Sequence, residues 1–191
     1  LFGLSPEYAE DCNAAFMQAL QAFQGATLPD DIQEWIAEIP FEQPSFRFAL
    51  ETAYHDLKEP FTNQFARGEK SIPINGLIWM GSAEFMRDQI EQKLAQGYSC
   101  LKLKIGAIDF ETEIALLKSI RSRFSVDELS LRVDANGAFN PAEAPFKLEK
   151  LAAYNLHSIE QPIKAGQIEA MQQLVSQHIL PIALDEELIG M

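Results

Sequence analysis

The chain has 191 residues, 47% of them hydrophobic, enough apolar material for the core of one or two domains. Its 28 acidic and 15 basic residues leave a formal charge of −13, a field that repels phosphate backbones, argues against a nucleic-acid partner and favours solubility. No run of about 18 apolar residues is present, which argues against a helical membrane span. Cys12 and Cys100 form neither a disulfide framework nor a CxxC metal knuckle, so the expectation is two packing thiols in a reducing compartment, the cytoplasm. The opening LFGLSPEY has no basic start or long apolar stretch and does not read as a secretory signal. It also lacks an initial Met, so the expected true start lies upstream.

Up to about Lys70 the segments read mainly as helices. Ser5-Pro6-Glu7 is a start signal, a capping hydroxyl followed by proline in the first turn, and Gly25 is a stop. A second helix fits Pro44 to Leu57, where Phe46, Ala49, Leu50, Ala53 and Leu57 recur at three- and four-residue spacing. Beyond Lys70 the pattern alternates. Strands are expected at Ile72–Trp79, Leu101–Ile105, Leu129–Asp134, His157–Glu160 and Ile182–Asp185. Between them lie helices at Ser82–Gln96, with Ser82 as cap, at Asp109–Phe124, with Ile114, Leu117 and Ile120 in register, at Pro141–Ala153, capped by Asn140, and at Gln167–Gln177.

Four β-α repeats and a fifth strand imply parallel strands joined by helical crossovers. The solutions are an open doubly wound sheet or a closed eight-stranded barrel. No GxGxxG or GxxxxGK[ST] turn follows the first strand, and the polar residues favour the barrel. Lys102 and Lys104 are two apart, so a strand points both to one face; Arg132, Asp134 and Asn136 share a face by the same rule. Glu160 and Asp185 close the next two strands. Lys, Asp, Glu and Asp therefore stand at the C-terminal ends of four successive strands, where barrel active sites are built. Singly, each has a plainer reading: an exposed edge face, a turn, a proline-enforced break, a solvated acidic run. Their order is what argues for a site. Three converging carboxylates repel one another unless a cation compensates, and oxygen-only ligands suit a hard ion such as Mg2+. A lysine beside such an ion is biased toward a neutral amine that can take a proton. His157, at a strand start away from that end, is expected to pack; Trp79, after the first barrel strand, is expected in the core, at an interface or near the pocket.

KLKIG, RVDANGAF, IEQPI and ALDEELIG resemble the second to fifth barrel strands of the muconate lactonising subgroup of the enolase superfamily. PSFRFALETAYHDL and IPINGLIWMG are most similar to its o-succinylbenzoate synthase branch. The resemblance implies a (β/α)8-type TIM barrel, here its first five strands over residues 71–191, after the helical part of an α+β capping domain over residues 1–70. It implies Lys104 as acid/base catalyst, Asp134, Glu160 and Asp185 as Mg2+ ligands (Mn2+ an alternative), Lys102 neutralising a substrate carboxylate, and Asn136 in support. Asp185 is preferred over Glu186 because the subgroup's ligand is the Asp of its DE pair. The implied reaction is a dehydration in menaquinone biosynthesis, with a small-molecule carboxylate as substrate. A racemase of N-acyl amino acids or an epimerase of dipeptides is the alternative enzyme, and an inactive barrel scaffold the alternative without activity. The resemblance further implies a capping segment before Leu1, carrying a specificity loop, and strands six to eight, with a second lysine, after Met191. The open edges of a five-stranded piece give a possible homo-oligomer contact, and the 191 residues alone are expected to be inactive.

Overall fold

In a computed structural model, residues 12–27, 29–38, 44–58 and 64–189 are described. The chain divides into two compact units, Leu1–Ile72 and Pro73–Met191. In the first are α1 (Cys12–Phe23), α2 (Ile32–Glu38) and α3 (Pro44–Lys58). The expected start at Ser5 lies outside the described residues. On α3 the buried stripe is Phe46, Leu50 and Tyr54, one residue every four. Leu57 is exposed, as are Ala49 and Ala53, which corrects the expected face: the phenol of Tyr54 completes it by donating to the Asp30 carbonyl at 2.5 Å.

The second unit alternates β1 (Gly76–Ile78), α4 (Ala83–Ala95), β2 (Cys100–Lys104), α5 (Phe110–Arg121), β3 (Ser130–Asp134), α6 (Ala144–Ala152), β4 (Ser158–Glu160), α7 (Ile168–Ser176) and β5 (Ile182–Ala183). The five strands form one parallel sheet in chain order, as a partial (β/α)8 barrel requires. Ser82 caps α4 by accepting from Phe85 N, and Asp109 caps α5 by accepting from Thr112 N. Asn140 does not cap a helix starting at Pro141. Its side chain accepts from Ala142 N at 2.9 Å, and the residues after it form a turn before α6 begins at Ala144. With proline in its first turn, α6 needs one donor fewer there.

The sheet has two unlike faces. Leu101, Leu103, Leu131, Val133 and Ile159 point to one side and join Met86, Ile90, Ile114, Leu117, Ile120, Leu148 and Leu151 of the helices in one buried cluster. Each such side chain contributes about 1.5–3 kcal/mol by leaving water. The intervening residues, Lys102, Lys104, Arg132, Asp134, Ser158 and Glu160, share the other face by the period of two. In register, Lys104 stands beside Asp134 and Asp134 beside Glu160, so one row of the sheet is charged from strand to strand. Among the described residues no helix is long and apolar enough to cross a membrane.

Candidate metal centre

That row holds the site. Lys104 Nζ donates to Asp134 Oδ2 at 2.5 Å and to Asn136 Oδ1 at 2.9 Å. Lys102 Nζ donates to Glu160 Oε1 at 2.6 Å and lies 3.0 Å from Asp134 Oδ2. Oxygens of Asp134, Glu160 and Asp185 lie within 4.8 Å of one another. The indole of Trp79 lies 5.8 Å from Lys104 Nζ, and its backbone is held at both polar atoms by the Gln89 carboxamide. Trp79 is therefore beside the site and half exposed.

Two residues reach the site by another route than strand periodicity. β3 stops at Asp134, and Asn136 is left-handed at φ 43°. The turn itself places it, with Asn136 N donating to Asp134 Oδ1 at 3.0 Å. The next residue, Gly137, also has positive φ, and a Cβ on it would come 2.8 Å from Lys164 Cα, which only glycine avoids. β5 ends at Ala183, so Asp185 does not close a strand; it precedes a short 3-10 turn, Glu186–Leu188. Glu186 stands apart from the three clustered carboxylates and accepts from Asn136 Nδ2 at 2.9 Å, while its buried Oε2 has no hydrogen-bond partner among the described residues.

The electrostatics are those of a charge cluster short of positive charge. Burial alone would raise the Asp134 carboxyl, but hydrogen bonds from Lys104, Lys102 and Asn136 N outweigh it and hold the group below the usual aspartate value. Glu160 is pushed up, by burial first and by the neighbouring Asp134 carboxylate, against the pull of Lys102. Burial works against the Lys102 ammonium, yet Glu160 and Asp134 hold its value above that of free lysine, so Lys102 is a fixed cation. Asp134, Glu160 and Asp185 against Lys102 and Lys104 leave a formal excess of one negative charge. A hard divalent ion with oxygen ligands fits this donor set and this balance.

Sequence reasoning missed Glu113 on α5, buried to 2% exposure within an otherwise apolar face. Its Oε1 accepts from Gly106 N at 2.6 Å, which ties down the loop leaving Lys104, and its Oε2 has no partner among the described residues. Burial raises this carboxyl above the ordinary glutamate value, with the amides of Gly106, Ile108 and Ala107 opposing. A raised folded value means stability that is full below the unfolded value and lost as pH rises through the folded one. Glu113→Gln has no such loss. Its thermal midpoint relative to wild type therefore improves as pH rises above the ordinary glutamate value, measured by calorimetry; a constant difference would contradict burial as the cause. His157, expected to pack, is exposed and pairs with Ser158 Oγ at 3.0 Å.

The family described as enolase C-terminal domain-like matches residues 85–191. The o-succinylbenzoate synthase of Desulfotalea psychrophila is 56% identical over 165 residues, covering 84% of this chain and 45% of that protein. A crystal structure of MenC from the same organism superposes with a TM-score of 0.71 at 49% identity, over 93% of this chain and 53% of that one. The synthase of Thermosynechococcus elongatus, solved with Mg in its active site, gives 0.69 at 27% identity, over 96% of this chain and 54% of that one. An L-Ala-D/L-Glu epimerase of Francisella tularensis subsp. novicida is 32% identical over 160 residues, 78% of this chain and 44% of that protein. The chain thus spans about half the length of the relatives it matches. A parallel sheet with charge gathered at its strand ends, and a family match over more than half the residues, lead to one assignment: the chain belongs to the enolase superfamily, through its C-terminal, barrel-forming domain.

Proposed function

We propose that this chain forms part of a Mg2+-dependent o-succinylbenzoate synthase, a lyase that dehydrates a succinyl-hydroxy-cyclohexadiene carboxylate to an aromatic ring in menaquinone biosynthesis. The observation that carries the reading is the 56% identity with the D. psychrophila synthase, nearly twice that with the epimerase. The proposed ligands are Asp134, Glu160 and Asp185, and an ion held there would supply positive charge against the substrate carboxylate and the charge left by loss of its α-proton. Lys104 is the proposed base. Asn136 Oδ1 and Asp134 Oδ2 fix its Nζ, so the amine is aimed before substrate arrives. Lys102, which keeps its proton, offsets the carboxylate charge. The α-proton passes to Lys104 Nζ, hydroxide departs on the same face, and the lysine returns the proton to it as water. Aromatisation drives the step forward, leaving positioning and charge stabilisation to the protein.

The test uses the protein that carries this chain. Loss of the cyclohexadiene ultraviolet absorbance with Mg2+, abolished by excess chelator, is the expected result. A second reading, exchange at the α-carbon of dipeptides or N-acyl amino acids, draws on the 32% identity with the epimerase. It requires bases on both faces of the substrate. Deuterium uptake by such substrates in heavy water, with no dehydration, would displace the synthase reading.

A further inference from the structure

Asp185 lies beyond the last hydrogen-bonded residue of β5, so no strand ladder sets the position of the third carboxylate. Something else must. The side chain that reaches it is Gln161, wholly buried and seated between the candidate ligand Glu160 and a proline. Its Oε1 accepts from Asp185 N at 3.1 Å and from Glu187 N at 3.2 Å. Its Nε2 donates to the Ile163 carbonyl at 3.0 Å and to Glu187 Oε2 at 3.3 Å. All four hydrogen-bonding positions of the carboxamide are thus used. The backbone of the same residue is tied on both sides: Gln161 N donates to the Ala183 carbonyl at 2.9 Å, and the Gln161 carbonyl accepts from Gly137 N at 2.7 Å. Its φ of 38° is left-handed, a conformation that costs a non-glycine residue about 1 kcal/mol or more and persists where surroundings over-determine it.

Gln161 therefore joins the three segments that carry the acidic cluster: the turn after Asp134, the end of β4 with Glu160, and the turn holding Asp185. We propose that Gln161 is the positioning residue of the metal centre, holding Asp185 at ligand distance from Asp134 and Glu160. The proposal rests on the reading of these three carboxylates as a cation site. The carboxamide is suited to this because it is neutral. A carboxylate here would face Glu187 and add to the negative excess; an apolar side chain would leave two part-buried amides and the buried Ile163 carbonyl without this partner.

The test is Mn2+ binding, followed by electron paramagnetic resonance of the free ion, in the protein that carries this chain. Wild type is compared with Gln161→Met, which keeps the length and loses the hydrogen bonds, and with Asp185→Asn, while metal-free thermal midpoints are recorded alongside. The expected result for Gln161→Met is a Kd raised about 10- to 100-fold, as for other outer partners of metal ligands, with dehydration recovering at saturating Mn2+. A lower thermal midpoint with unchanged Kd, while Asp185→Asn binds weakly, would overturn the proposal and leave the site reading intact. Unchanged Kd in Asp185→Asn would remove the site reading, and the proposal with it. Should Gln161→Met fail to fold, amide hydrogen exchange in the metal-free wild type decides. Strong protection at Asp185 and Glu187 is expected, and exchange at open-loop rates would overturn the proposal.

Discussion

Replacing Lys104 by alanine lowers kcat for the proposed dehydration by about 10²- to 10⁴-fold, the usual weight of a positioned acid–base group, with little change in KM. The geometry makes this the largest single effect on turnover. Nζ is fixed by two oxygens, one on Asp134 and one on Asn136, and the side chain leaves a strand end clamped from behind by Glu113 through Gly106. Metal affinity survives, because Lys102 still lies 3.0 Å from Asp134 and 2.6 Å from Glu160. Lys104→Arg separates two roles. It keeps the charge but does not give up its proton near neutral pH, so it is as inactive as alanine if the amine is the base. Activity in Lys104→Ala within tenfold of wild type would remove Lys104 from that role.

Asp134→Asn has the largest expected effect on binding and folding together. Asp134 is fully buried and receives both lysines. Neutralising it removes a candidate ligand and leaves Lys104 with only the neutral Asn136 Oδ1 and Lys102 with Glu160. Divalent affinity falls beyond the 10- to 100-fold typical of outer partners. Metal-free stability drops by about 3 kcal/mol, the low end for a buried pair broken on one side, since the lysines keep some access to solvent. The pH dependence has a definite sign. The Asp134 value is lowered in the folded protein, so its contribution is present above the ordinary aspartate value and lost as pH falls toward the folded one. Wild type carries that acid limb and the variant does not, which calorimetry across acidic pH resolves. Equal stability at neutral pH would show that the lysines find other partners.

The barrel part was legible because two periods are strong there. Leu101 and Leu103 alternate with Lys102 and Lys104 at a period of two, and Ile114, Leu117 and Ile120 keep the helical one, so faces followed from spacing alone. Ser82 announced its helix by chemistry that acts within three residues. What escaped the sequence depends on contacts from far along the chain. Asn136 reaches Lys104 through a left-handed turn, and Asp185 hangs past a strand of two residues, so alternation correctly named neither geometry. Glu113 and Gln161 carry no motif of their own; Glu113 has its role once the Gly106 amide of the preceding loop meets it, and Gln161 once the amides of Asp185 and Glu187 do. The seven residues of α2 are too few for a periodic signal, and Tyr54 took a core position on α3 that the aliphatic pattern assigned elsewhere.

The charged row across β2, β3 and β4 also bears on how the sheet assembles. Parallel strands paired through short ladders, such as the three residue pairs joining β3 to β4, are open to slippage. A slip of one residue exchanges the faces of a strand. In β2 that slip would drive Lys102 and Lys104 among Ile114, Leu117 and Ile120, and would bring Leu103 against Asp134. The observed alignment both buries the leucines and sets Lys104 beside Asp134 and Asp134 beside Glu160. The groups proposed for chemistry thus double as a proofreading mark for strand pairing, so variants that lose them are expected to misfold more often during synthesis as well as to turn over less.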